Sequence, residues 1–152
     1  MEKKPSVYLA NQLGFSSVCK PALDLVVKAL EDAGFTVHEP FDICEKMLSA
    51  GMKNNAENIG RTNGSTIKGC DIVVALCDGG HAVDDGVAAE IGYAYGIGKE
   101  VYILRTDFRM CDDKDGRINM QITFFVEASG GKVCYSLEEL IQALEEYKKE
   151  KS

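Results

Sequence analysis

One carboxylate stands out in a stretch of small and apolar residues between Asp84 and Gly98. The stretch reads Asp-Asp-Gly-Val-Ala-Ala-Glu-Ile-Gly-Tyr-Ala-Tyr-Gly-Ile-Gly, and from Gly86 onward its only charge is Glu90. A helix of this composition is predicted to be packed on nearly all sides, where a carboxylate is costly to bury unless it is paired or functional. Glu90 is therefore the first candidate for chemistry. The alternative is that Glu90 faces solvent or caps a neighbouring backbone, and the residues alone leave both open.

Two aspartates, Asp84 and Asp85, stand where this helix is predicted to begin. Aspartate is a preferred N-cap, so a purely structural role is the simpler explanation for them. An aspartate at the cap and Glu90 in the first turn could still present two carboxylates to one pocket.

The elements that must position these residues follow from hydrophobic periodicity. Short apolar runs predict strands over residues 6–10, 35–39, 71–76, 100–104 and 132–135. Helical spacing predicts helices over residues 20–33, 44–50 and 56–68. Two further helices are predicted, one through the Glu90 segment and one that begins after a Ser136 cap. Residues 105–121 are predicted to form a polar loop.

Strands that alternate with helices predict one α/β domain over residues 1–152, with an open parallel sheet of about five strands and helices on both faces. Ligands of such sheets bind beyond the carboxyl ends of the strands. The loops after Leu9, Leu76 and Leu104 are therefore where a site is expected. Asp78, in the second of these loops, is a candidate for substrate binding.

Composition excludes several classes of partner. The formal net charge of −7 argues against a nucleic-acid polymer or an anionic membrane, and no run approaches the ~20 apolar residues of a membrane span. The start of the chain does not resemble a signal peptide, and six cysteines without metal-ligand spacing are expected to be reduced and structural. We therefore expect a cytoplasmic protein without a metal or organic cofactor. The histidine at position 81 is expected to be a solvated loop residue.

Several motifs together resemble one enzyme family. They are Tyr8 in the first strand, the run Asp-Ile-Val-Val-Ala that starts at Asp71, the pattern Asp84-x-Gly86-x-x-x-Glu90-Ile-Gly-Tyr-Ala, and the pair Gly-Lys at 98–99. From Tyr8 to about Asn119 the chain resembles the nucleoside 2-deoxyribosyltransferases. The resemblance implies a flavodoxin-like three-layer sandwich with strand order 2-1-3-4-5, and a role in nucleobase salvage.

The resemblance also implies roles for individual residues. Glu90 matches the nucleophile, which attacks C1′ of a deoxyribose and forms a covalent glycosyl-enzyme that a second base then resolves with retention. Tyr8 matches the residue that holds this carboxylate in line, and Asp84, with Gly86 in the same motif, matches the sugar-binding position. Asn119 resembles an asparagine that reaches the 5′-hydroxyl from a neighbouring subunit. The implied partners are a small nucleoside, a free nucleobase and a second copy of the chain.

One position departs from the family pattern. Eight residues before Asp71 the family often has an aspartate that helps to protonate the leaving base, and here that residue is Asn63. An amide can hold a base edge but cannot deliver a proton at neutral pH. Asn63 is therefore a candidate for base binding or a solvated helix residue, and the proton donor stays open.

Two other functions compete with the transferase. Relatives that hydrolyse deoxynucleoside 5′-monophosphates carry Ser where Asp84 stands, and a 5′-phosphate beside Asp84 would bring like charges together. A free nucleoside is therefore the preferred substrate, with hydrolysis as a side activity. The remaining alternative is a nucleotide-binding module without catalysis.

Overall fold

Five parallel strands form the central sheet. The computed structural model describes residues 4–80, 82–111 and 116–151. The strands are β1 (Ser6–Ala10), β2 (Thr36–His38), β3 (Ile72–Leu76), β4 (Glu100–Leu104) and β5 (Val133–Cys134). They pair in parallel in the order β2-β1-β3-β4-β5. The predicted flavodoxin-like sheet and its strand order are confirmed.

Helices cover both faces of this sheet. They are α1 (Lys20–Asp32), α2 (Pro40–Ser49), α3 (Ala56–Gly69), α4 (Asp85–Gly96), α5 (Met120–Ala128) and α6 (Leu137–Lys151), with a 3₁₀ turn at Leu13–Phe15. Buried residues of α1 and α6 form one apolar core, and buried residues of α3 and α4 form the other with Val126 of α5. Every residue of β3 is buried, because the central strand of a parallel sheet is covered on both sides.

Two helices differ from the sequence-based prediction. Helix α5 lies where no helix was predicted, since its Ile-Thr-Phe-Phe-Val core is typical of a strand. It is stabilised by packing on α4, where Phe125 stacks on Tyr95 with ring centroids 4.7 Å apart. Helix α2 begins at Pro40, four residues before the predicted start, because Glu39 caps it.

Arg105 connects the loops at the carboxyl ends of β3 and β4. Its side chain is 1% exposed. The guanidinium donates hydrogen bonds to the carbonyls of Cys77, of Gly80 at 2.8 Å and of Arg109 at 3.3 Å. Because a buried charge is costly unless it is hydrogen-bonded, these carbonyls are the reason that Arg105 is tolerated there. The loop that leads into α4 is fixed by these contacts.

None of the six described cysteines forms a disulfide, and Cys70, Cys77 and Cys134 are buried. None of the described helices combines the length and the apolar character needed to cross a bilayer.

Candidate active site

A buried phenol and a half-buried carboxylate meet at the carboxyl end of the sheet. Tyr8 of β1 has no exposed surface. Its hydroxyl donates a hydrogen bond of 2.5 Å to Oε1 of Glu90. Glu90 is the sixth residue of α4 and so lies in the second turn, not in the first as predicted. Ile91 and Ala94 of the same helix are buried in the core, which holds α4 against the sheet.

The environment of this pair shifts both pKa values upward. Burial is the main cause that raises the pKa of Glu90, the charge of Asp84 raises it further, and the hydrogen bond from Tyr8 opposes the shift. Burial, followed by the negative charge of Glu90, also holds the pKa of the Tyr8 phenol well above its usual range. The phenol therefore stays protonated at physiological pH and acts as a donor to Glu90.

Asp84 caps α4 and faces the same cavity as Glu90. Its Oδ1 accepts hydrogen bonds from the backbone N–H groups of Gly86 at 3.0 Å and Val87 at 3.1 Å. A Cβ at position 86 would lie 3.1 Å from that oxygen, so glycine gives the cap its close approach. Asp84, Gly86 and Glu90 all line one cavity of about 200 Å³ that is only partly open to solvent, here called the enclosed cavity. The expectation that the cap and Glu90 present two carboxylates to one pocket agrees with this geometry.

The remaining lining of this enclosed cavity is mostly apolar. It includes Asn11, Phe15, Pro40, Phe41, Cys44 and Ile59. The rings of Phe15 and Phe41 meet edge to face with centroids 4.7 Å apart. Sequence reasoning missed these wall residues. Phe15 and Asn11 could have been found, because they follow β1 at the sheet edge where ligands bind, whereas Phe41 carries no such signal.

A second, open groove lies between α3 and α4 and shares Glu90 with the enclosed cavity. Its volume is about 680 Å³, and its walls include Arg61, Asn63, Lys68 and Tyr93. Asn63 lines both spaces. The amide of Asn63 lies 3.5 Å from Oε1 of Glu90, which is the long limit for a hydrogen bond.

Two of the sequence-based candidates lie away from this cluster. The carboxylate of Asp78 accepts hydrogen bonds from the Thr106 hydroxyl and, at 2.8 Å, from the backbone N–H of Asp107, so it joins the loops after β3 and β4. The side chain of Asn119 caps α5 by accepting from Gln121 N at 3.0 Å and Ile122 N at 3.3 Å. Neither residue lines the two spaces that contain Glu90.

Metal ligation finds no support in the part of the chain that the structure describes. Among those residues no group of three His, Cys, Asp or Glu side chains could hold a metal ion. The histidine at position 81 lies outside the described residues.

The fold and the site define an α/β protein with a hydrogen-bonded carboxylate–phenol pair at the carboxyl ends of its parallel strands. Residues 7–142 match the model of the nucleoside 2-deoxyribosyltransferase family. The chain belongs to that family, as the motifs around Tyr8 and Glu90 predicted. Membership supports an enzyme of the glycosyltransferase or N-glycosidase kind. No curated protein matches the sequence.

Solved structures share the fold at low sequence identity. A conserved protein from Enterococcus faecalis V583 is 22% identical with a TM-score of 0.77, over 95% of this chain and 99% of that chain. A 2-deoxyribosyltransferase from Bacillus psychrosaccharolyticus is 22% identical with a TM-score of 0.70, over 90% of each chain. A CMP N-glycosidase from Clostridium botulinum is 22% identical with a TM-score of 0.60, over 93% of this chain and 98% of that chain.

Proposed function

We propose that the protein transfers 2-deoxyribose between nucleobases through a covalent glycosyl intermediate on Glu90. The observation that carries the proposal is the Tyr8–Glu90 pair. Tyr8 and Asn63 both contact Oε1 of Glu90. Within the described part of the chain Oε2 accepts no hydrogen bond, so it is the oxygen that is free to attack.

The reaction takes place in two displacements at C1′ of the sugar. In the first, Oε2 of Glu90 forms a bond to C1′ while the N-glycosidic bond breaks. The electron pair of the broken bond stays with the base nitrogen, which takes up a proton. In the second, a nitrogen of an incoming base attacks C1′, gives up its own proton, and releases the Glu90 carboxylate. Two inversions retain the β configuration. Water that reaches the intermediate first gives free deoxyribose, which is the expected side hydrolysis.

The substrate contacts follow from the lining of the enclosed cavity. Oδ1 of Asp84 is occupied by the helix cap, which leaves Oδ2 to accept hydrogen bonds from sugar hydroxyls. Asn63 offers its amide to a base edge but no proton. The open groove beside Asn63 admits water, and we assign water as the proton source for the leaving base. Asp78 has its carboxylate engaged between two loops, so we propose that it supports the site without touching the substrate.

The test is base exchange together with trapping of the intermediate. Deoxyinosine and free adenine should give deoxyadenosine with the wild type, and Glu90→Gln should abolish the exchange. A 2-fluoro-2-deoxy nucleoside should add the mass of the fluorosugar to a peptide that contains Glu90, and Glu90→Gln is the matched control. Absence of both exchange and hydrolysis with nucleosides and monophosphates would refute an enzymatic role.

A second activity, hydrolysis of 2′-deoxynucleoside 5′-monophosphates, has one observation in its favour. Arg61 and Lys68 line the groove that contains Glu90, and cations of this kind bind phosphate. The CMP N-glycosidase from Clostridium botulinum shares the fold. Base release from dCMP that exceeds release from deoxycytidine, and that falls with Arg61→Ala, would favour this activity. The carboxylate of Asp84 in the enclosed cavity would repel a 5′-phosphate, which favours a nucleoside over a monophosphate as the substrate.

We further propose that two copies of the chain meet through the outer faces of α4 and α5. The exposed apolar residues here are Tyr93 of α4, Ile97 directly after α4, and Met120 and Phe124 of α5. Exposed apolar side chains grouped in this way are removed from water when two copies pack together. Such an interface would bring Asn119, at the start of α5, to the neighbouring copy and allow the contact with a 5′-hydroxyl.

This assembly is tested by sedimentation. Phe124→Lys should convert the oligomer to a monomer, while Leu25→Lys, at an exposed apolar position of α1, should leave the assembly intact. A wild-type monomer at micromolar concentration would refute the interface.

A further inference from the structure

A second carboxylate, that of Glu39, is buried at the carboxyl end of β2. Its side chain is 4% exposed. The two carboxylate oxygens accept hydrogen bonds of 2.9 Å from the backbone N–H groups of Phe41 and Asp42. These are orphan donors of the first turn of α2, and the positive end of the helix dipole favours the negative charge. Glu39 therefore fixes where α2 begins and how its first turn is oriented.

The first turn of α2 carries part of the wall of the enclosed cavity. Phe41 lines the cavity together with Phe15 and Glu90. A Cβ added at Gly14 would lie 2.1 Å from the Phe41 ring, so the ring rests directly on the backbone of that glycine. Phe41 is thus confined from two directions, by the turn after β1 and by the Glu39 cap.

We propose that Glu39 is a positioning residue that holds Phe41, and with it the aromatic wall that a nucleobase meets in the cavity that Glu90 also lines. Glu39 does not itself line the cavity. This inference rests on the proposed function, because it assumes that a nucleobase occupies the enclosed cavity. Glu39 acts on the base through Phe41, and without the cap the first turn of α2 frays and the wall is displaced.

The role of Glu39 differs from that of an ordinary helix cap in its effect on the ligand. A cap that only stabilises a helix changes the melting temperature and nothing else. Ser136 provides the matched control, because its hydroxyl accepts from the backbone N–H of Glu139 at the start of α6, in the opposite helix layer. Gly14→Ala provides an independent perturbation, since it displaces Phe41 while Glu39 remains intact.

The experiment measures free nucleobase binding by calorimetry and base exchange by steady-state kinetics, with adenine and cytosine as probes. Glu39→Ala and Gly14→Ala should each raise the Kd and the KM for the free base by about tenfold, while kcat falls by less than about threefold. Glu39→Gln, which keeps an acceptor oxygen, should restore most of the binding. Ser136→Ala should lower the melting temperature and leave both constants unchanged.

Each outcome of these measurements either supports or contradicts the proposed role of Glu39. If Glu39→Ala lowers the melting temperature but binds adenine and cytosine as tightly as the wild type, the proposal is wrong. If Glu39→Ala does not fold, Glu39→Gly takes its place, because an N-cap position tolerates glycine and glycine has no side chain to accept from Phe41 and Asp42. A wild type that binds bases without exchanging them would refute the transferase alone, since the binding constants still test Glu39. A wild type that binds no base would overturn both.

Discussion

Replacement of Tyr8 by Phe removes one hydroxyl from the centre of the site and leaves the ring packing intact. The lost hydrogen bond is 2.5 Å long and joins a phenol to the Glu90 carboxylate. Hydrogen bonds to charged groups contribute about 1.5–3 kcal/mol. Because the bond holds the carboxylate in line for attack, orienting Glu90 without it costs up to this energy, and at about 1.4 kcal/mol per tenfold change kcat/KM falls by as much as roughly 10- to 150-fold.

The same substitution should move the acid limb of the pH–rate profile. The hydrogen bond from Tyr8 lowers the pKa of Glu90, against burial and the charge of Asp84, which raise it. Without the hydroxyl the pKa of Glu90 rises further, so a larger fraction of the carboxyl is protonated and inactive at a given acidic pH. The acid limb of kcat/KM is therefore expected at higher pH in Tyr8→Phe than in the wild type.

Tyr102 offers a matched control on the neighbouring part of the sheet. It is a strand tyrosine with 5% exposure, and its hydroxyl donates to the Glu100 carboxylate at 3.1 Å. Tyr102→Phe should leave kcat/KM and the acid limb unchanged. The assay is base exchange from pH 4.5 to 8.5. An unshifted acid limb, or a rate loss equal to that of Tyr102→Phe, would show that Tyr8 only packs the core.

Substitutions at three positions give separate expectations. The raised pKa of Glu90 means that folding favours its protonated form. The resulting gain in the free energy of unfolding is complete below the pKa of Glu90 in the unfolded chain, and it is lost as the pH rises through the pKa of Glu90 in the folded protein. Glu90→Gln should therefore raise the melting temperature at pH 8, by about 2–4 °C for each 1 kcal/mol, with a smaller gain near pH 4.5. Arg105→Met leaves buried carbonyls without donors and should lower the free energy of unfolding in urea by about 3 kcal/mol or more; an unchanged midpoint would contradict this. Asp84→Asn keeps an N-cap, so it should preserve stability but weaken nucleoside binding, whereas Asp84→Ala should also lose about 1 kcal/mol.

The sequence predicted the sheet well because each strand is marked by its own residues. Residues 6–10 and 100–104 match β1 and β4, and the uninterrupted apolar run of β3 differs by one residue. The short strands β2 and β5 lie at the sheet edges, where fewer ladder contacts extend them. The local sequence pattern is sufficient to locate strands of this kind, and the family resemblance then predicted their order in the sheet.

Helix α5 could not be predicted because its local signal points the other way. Its β-branched and aromatic residues favour a strand, and the helix forms because Asn119 caps it and Phe125 packs on Tyr95 of α4. Phe41 and Arg105 were missed for a related reason. Their partners, Gly14 for Phe41 and the carbonyls of Cys77 and Gly80 for Arg105, are distant in sequence, and only the folded chain brings them together.

The two carboxylates of the enclosed cavity are held in opposite ways, and this difference fits the roles proposed for them. Asp84 stands at the positive end of α4 and accepts two backbone N–H bonds, which stabilise its charge. Glu90 has no cation among the groups that shift its pKa, and its one short hydrogen bond comes from a neutral phenol. A lysine or arginine paired with Glu90 would stabilise the carboxylate but would also occupy the oxygen that is proposed to attack. In the proposed mechanism the apolar composition of α4 therefore leaves Glu90 without a paired cation, and the stability lost by burying its charge accompanies the reactivity assigned to it.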